Sequence, residues 1–277
     1  MTLVTLRQMV AAELLKLWRR RGVIAVAAFF TIGIIVLFYG VRAIEHASDP
    51  TVHGPAGGLA SFDRVIELMS VFFGALAAIV VGTEAGTSDL SSGVFRDLVV
   101  TGRSRLALFA VRLPAAIIVT WALTLVALGI ALAAVFGFGG SDALPGAAAV
   151  IGVRQSPLPG TLGASFVIDG VLWTLGAQAL ICAIAVGLGS LTGSRAATLT
   201  LLIGWEVIAN RLLSEISFLG HLRELLTNVA LGALKPGDAL PDTSGVLPSD
   251  AVAVVVIAAW CAVFVFLGAR STIRRDA

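Results

Sequence analysis

Four stretches of this chain, residues 23–41, 113–141, 170–194 and 251–269, run for 19 residues or more without a single charged side chain. Such runs constrain the fold more tightly than any motif. About 20 apolar residues cross roughly 30 Å of hydrocarbon as a helix, and in lipid the backbone must satisfy its own polar groups. Composition agrees: 58% of residues are hydrophobic, 13% are charged, and the mean hydropathy is +0.98, outside the balance of a water-soluble domain. Two further spans are less clean. Residues 68–83 are short but extended by amphipathic sequence before them, and residues 196–213 are interrupted by Glu206. The expectation is an all-α, polytopic, single-domain membrane protein with six spans at about 23–43, 65–83, 108–138, 167–192, 196–213 and 250–270.

Basic residues set the orientation. With both termini on one side, segments 1–22, 84–112, 192–197 and 268–277 carry 13 of the 19 Lys and Arg residues but 5 of the 17 acids. The positive-inside rule then places both termini and the 84–112 segment in the cytoplasm, and the protein in the cytoplasmic membrane. The net charge of +2 averages two unlike faces. Cys182 and Cys261 fall inside spans, where a thiol acts as a small apolar group, so no disulfide framework is expected. The first apolar run is nearer span length than signal-peptide length and is expected to remain uncleaved.

Residues 3–21 precede that run. On a helical wheel Leu3, Leu6, Val10, Leu14 and Leu17 cluster opposite Thr5, Gln8, Lys16 and Arg19, the pattern of a helix lying in the membrane interface. Trp18, Arg19, Arg20 and Arg21 then sit at headgroup depth as anchors to membrane lipid. Residues 139–165 are rich in Gly, Pro, Ala and Ser and predict an irregular loop. Leu212, Ile216, Leu219, Leu222, Leu226 and Val229 recover helical spacing in a segment too polar to span, which predicts interfacial or re-entrant helices between spans five and six. Gly129, Gly137, Gly176, Ala183, Gly187 and Gly189 allow close approach of helices.

No catalytic or metal constellation is visible. A phosphate-binding P-loop needs Lys followed by Ser or Thr, but Lys16 precedes Leu17 and Lys235 precedes Pro236. Any ATP hydrolysis that drives this protein belongs to another chain. His46, His53 and His221 have neither cysteine nor a second histidine at helical spacing, so no metal ligand set is predicted.

Between spans two and three the chain reads SGVFRDLVVTGRSRLALFAVRL over residues 92–113. Together with the basic amphipathic N-terminus, the six spans and the polar insertion before the last, this segment resembles the ABC-2 type permeases, the membrane subunits of type-2 ATP-binding-cassette exporters. Gly102 stands where that family usually has a proline in the turn. The resemblance implies an elbow helix at the N-terminus and a coupling helix at 93–100. Gly93, Phe95, Arg96, Asp97, Leu98, Val99, Arg103 and Arg105 would then meet a separate P-loop ATPase. It implies two copies of that ATPase, which would hold ATP and Mg, and a second permease subunit, identical or related. Nucleic acid is not an expected partner. Cargo would be hydrophobic or amphiphilic, a drug-like compound or lipid, with glycan export as the alternative within the family. An ion-coupled secondary transporter and a non-transporting scaffold are the readings from other classes.

Two acids stand out. Glu84 closes span two and can accept hydrogen bonds from the helix that follows. Glu206 lies about 15 Å along span five, near the bilayer centre. An acid at that depth costs roughly 2.5–3.5 kcal/mol, so it should face protein or water, with Asn210 one turn on sharing its face. These two residues are expected at a transport path or a permease dimer interface.

Overall fold

The computed structural model describes residues 3–54, 56–100, 102–138, 164–236 and 248–275. Every regular element among them is helical. An N-terminal helix, α1 (Leu3–Arg19), is followed by a first long helix, α2 (Arg21–Ser48). Then come α3 (Ser61–Ser91), the short α4 (Val94–Val100), α5 (Arg105–Gly137), α6 (Phe166–Thr192) and α7 (Arg195–Glu215). A 3₁₀ segment, Ser217–Leu225, leads into short α8 (Thr227–Ala233), and α9 (Asp250–Arg274) closes the chain. Six of these, α2, α3, α5, α6, α7 and α9, are long and apolar enough to cross a membrane. Most of the loop expected over 139–165 lies outside the described residues.

Burial separates centre from rim. In their most apolar stretches α3 is 72% buried and α6 61%, against 17% for both α7 and α9, so α3 and α6 are the axis around which the rest packs. Small residues make that axis. A Cβ added at Gly82 would lie 2.7 Å from the Cys182 carbonyl oxygen, and one at Gly86 2.6 Å from that of Val186. Gly187 and Gly268 meet in the same way between α6 and α9, with the Phe264 carbonyl against Gly187. Of the small residues expected to permit close approach, Gly187 and Gly189 do so, and Ala183 is buried. Gly129, Gly137 and Gly176 face open space, because sequence spacing alone does not say which side of a span meets protein.

Helix α3 runs past residue 83 to Ser91, and its last turns, from Glu84 to Asp89, are buried. A surface segment was expected to begin at Glu84. The helix continues because the two acids find cations on neighbouring helices.

Inside the bundle, several polar groups pair across helices. A π turn at Leu68–Phe72 interrupts the i→i−4 ladder of α3. The Gln178 side-chain amide donates to the Met69 carbonyl there at 3.3 Å, and Thr124 donates to the Gln178 carbonyl oxygen at 2.6 Å. Ser70 donates to Thr174 at 2.9 Å, again joining α3 to α6. In hydrocarbon a freed carbonyl needs such a donor.

At the end remote from the termini, Asp49 stops α2. Its carboxylate accepts from the Thr51 hydroxyl and from the Thr51 and Val52 amides, which together hold it below the usual carboxylate range. The insertion before α9 folds back onto the bundle. Trp260 donates to the Leu225 carbonyl at 2.9 Å, Trp173 of α6 donates to that of Leu231 at 3.1 Å, and Lys235 pairs with Asp63 at the start of α3.

Gly86→Leu and Gly187→Leu should each destabilise the bundle by about 1–3 kcal/mol or more, the range for overpacking a close contact. Gly129→Ala, into open space, should change stability by less than about 1 kcal/mol. Thermal unfolding in detergent distinguishes the three.

Candidate functional site

The end of the bundle that carries both termini is a charged node built on the last two turns of α3. Glu84 and Asp89 lie five residues apart, about 140° around the helix, and so face different neighbours. Asp89 accepts from Lys16 of α1 at 2.7 Å and from Arg112 of α5 at 2.8 Å. Lys16 also pairs with Glu13 on its own helix. The Arg112 side chain is wholly buried; it reaches the Gly86 carbonyl as well, and its guanidinium lies 5.9 Å over the ring of Phe95 in α4. Glu84 is clasped by Arg20 at 3.4 Å and by Arg195, at the start of α7, at 3.2 Å.

The two clasps differ in kind. Both cations on Glu84 are about half exposed, whereas Arg112 and Asp89 are almost completely removed from solvent. A buried pair is held by its geometry, and removing one partner strands the other charge. On Glu84 the acid is as buried as Asp89, but its two half-exposed cations can exchange with water, so the clasp is the weaker of the two. A second tie closes the same end: Arg105 donates to the carbonyls of Ile273 and Arg275, at the end of α9, and Arg275 donates to the Leu191 carbonyl at 3.0 Å.

From this node α4 projects between two glycines with left-handed backbone, Gly93 (φ 74°) and Gly102 (φ 81°). Neither conformation suits a side chain with a Cβ, which is the physical reason for glycine at both corners. At Gly102 a proline, with φ fixed near −65°, could not replace it. The residues expected to meet a partner here divide into two groups. Gly93, Asp97 and Arg103 are exposed, Leu98 and Val99 are half-buried, and Arg96 as a side chain lies outside the described residues. Phe95 is 5% exposed and turned into its own chain, and Arg105 is taken up by the end of α9. The apolar side chains presented outward are Val94 and Val100, the latter 80% exposed.

Sequence reasoning missed Asp89, Lys16 and Arg112 as a unit. The signal available was charge scarcity: this end holds few acids, and two of them sit within one helical stretch that continues a span. Of the residues expected to anchor the chain at the membrane interface, Trp18, Arg19 and Arg21 are exposed, while Arg20 is exposed and also bound to Glu84. On α1 the buried stripe is Glu13 and Leu17 with Val10 and Leu14 beside it. Lys16, expected to point away, turns inward to Asp89.

Glu206 and Asn210 share a face of α7, as the spacing predicts. Asn210 donates to the Glu206 carboxylate at 3.0 Å and to the Thr227 hydroxyl at 2.7 Å, and Thr227 donates to Glu206 at 3.4 Å. Thr227 belongs to α8, so the insertion reaches the depth of Glu206. Among the described residues, no group of three or more His, Cys, Asp and Glu side chains could hold a metal ion. In comparison with known proteins, the chain matches no family model and no curated sequence.

Asp89→Asn should destabilise the protein by about 3–5 kcal/mol, because Arg112 is left buried without its counter-charge. Asp89→Leu combined with Arg112→Met should recover most of that loss. Glu84→Gln should cost about 1 kcal/mol or less, since Arg20 and Arg195 can return to water. Unfolding midpoints of the purified variants test the ranking.

Proposed function

We propose that this chain is the membrane-spanning permease subunit of an ATP-driven exporter, with α4 as the surface through which a separate P-loop ATPase acts. One observation carries the reading. A short helix, framed by two left-handed glycines, projects from the bundle with exposed Val94, Asp97 and Val100 and with exposed Arg103 just past the second glycine, while Phe95 is buried against Arg112. A load on α4 is therefore delivered to a buried ion pair that joins α1, α3 and α5. That is the linkage a chain lacking its own P-loop needs.

In this reading both termini and α4 face the cytoplasm and α1 is the elbow helix. Two permease subunits pair with two ATPase subunits, which bind ATP and Mg. Closure of the ATPases displaces α4, the node passes the movement to α1 and α5, and the spans alternate between inward- and outward-open arrangements. The rim helices α7 and α9, the least buried, are the ones freest to move or to meet a second copy. Cargo is hydrophobic or amphiphilic.

Two measurements test the proposal. A P-loop ATPase should co-purify in equal amount with the tagged chain. Arg103→Glu, alone or with Arg96→Glu, should lower chain-dependent ATPase stimulation at least about tenfold, the loss of about 1.4 kcal/mol of coupling, while the unfolding midpoint stays constant. Full stimulation in the doubly reversed variant would reduce α4 to a topology signal. Uptake driven by an ion gradient with no ATPase bound would favour a secondary transporter.

A further inference from the structure

Glu206 differs from the other membrane-embedded acids in what surrounds it. Glu84 and Asp89 are each held by two cations. Among the described residues no cation lies within ion-pair distance of Glu206, whose partners are the neutral donors Asn210 and Thr227. The arginine nearest in sequence, Arg211, is engaged elsewhere, with its guanidinium 5.6 Å over the ring of Phe72.

Two buried polar atoms on this stretch of α7 have no partner, Asn210 Oδ1 and Trp205 Nε1. Asn210 is fully buried and uses its amide N–H groups on Glu206 and Thr227, which leaves its Oδ1 without a donor beside the carboxylate. A cluster of aromatic rings joins α7 to α9 on the adjoining faces. Trp260 of α9 donates to the Leu225 carbonyl, two residues before Thr227, and its ring lies 5.4 Å from that of Trp205 and 5.7 Å from that of Phe264. The rest of this stretch of α7 presents Ile203, Ile208 and Leu212 outward. A π turn, Gly204–Ala209, sets Glu206 into the helix face here, a distortion often found at functional positions.

An acid at mid-span with no cation beside it, an unpartnered amide oxygen on the same face, tryptophans on the adjoining faces and an apolar surround are together complementary to a cation carried on an apolar body. We propose that the middle of α7 binds an amphiphilic organic cation, with Glu206 as counter-ion and Trp205 and Trp260 as its aromatic wall. This deepens the transport reading by assigning the charge of the cargo, and it rests on that reading only in calling the ligand cargo. The occupant is a membrane-soluble molecule with one positive centre. A quaternary-ammonium lipid headgroup offers the same chemistry, and the experiment separates the two sources.

The probe is tetraphenylphosphonium, with tetraphenylborate as an anion of the same size and shape, measured by equilibrium dialysis against the full chain in a nonionic detergent. Saturable binding of the cation at least tenfold tighter than of the anion is expected. Glu206→Gln should remove that preference, while Glu206→Asp retains it. Selective displacement of the probe by phosphatidylcholine over phosphatidylglycerol assigns the site to a lipid headgroup, and equal effects of the two lipids assign it to a free cation. Equal affinity of wild-type protein for the two ions overturns the proposal, as does an unchanged cation preference in Glu206→Gln protein that elutes as a single folded species. If Glu206→Gln does not fold, the wild-type comparison of the two ions decides alone. The measurement needs no ATPase, so its failure leaves the role of α4 untouched, and absence of an ATPase partner leaves this site untouched.

Discussion

The structure depends on one buried ion pair. Arg112 is wholly enclosed and Asp89 nearly so, and neither charge could stay there without the other. Because Asp89 also holds Lys16, and Arg112 also covers Phe95, the pair fixes four helices, α1, α3, α4 and α5, at one end of the bundle. The alternative, an apolar contact, would let these helices slide past one another. A charged pair with short, directional bonds permits few arrangements.

The remainder of the bundle follows from keeping α3 and α6 close. In hydrocarbon there is no hydrophobic drive between helices, so association depends on packing and on polar bonds. Gly82 and Gly86 bring the backbones together, and Ser70–Thr174 and Gln178–Met69 bridge them. The π turn of α3 would expose a carbonyl to lipid if Gln178 did not meet it. Gln178 is thus explained by a specific backbone need, whereas Glu206 has no cation within ion-pair distance among the described residues.

Sequence made the spans legible because apolar length is a strong, local signal. The six apolar runs correspond to six helices long and apolar enough to cross a membrane. What the sequence hid was which face of each helix meets protein. Gly129 and Gly187 look alike in the chain, yet one faces open space and the other touches Phe264. Phe95 looks like a partner-facing anchor, but a buried arginine two turns into α5 captures it, and that pairing depends on tertiary approach. Lys16 sits on the polar side of α1 by its wheel position and still turns inward, since Asp89 offers more than water does. Glu206 and Asn210 were legible because a helical turn of spacing and the cost of a mid-membrane acid are both local facts.

The bundle thus holds two kinds of buried acid: Glu84 and Asp89, each held by two cations, and Glu206, which has none within ion-pair distance among the described residues. On the proposed reading, α4 and the node face the cytoplasm, where an ATPase can reach them. The most direct measurement is labelling of single cysteines by a membrane-impermeant maleimide in intact cells, with Cys182 and Cys261 replaced by alanine. Val52→Cys and Val100→Cys occupy exposed positions at opposite ends of the bundle. The account predicts labelling of Val52→Cys in intact cells and of Val100→Cys only after permeabilisation. Labelling of Val100→Cys from outside would place α4 beyond the reach of any cytoplasmic ATPase and contradict it.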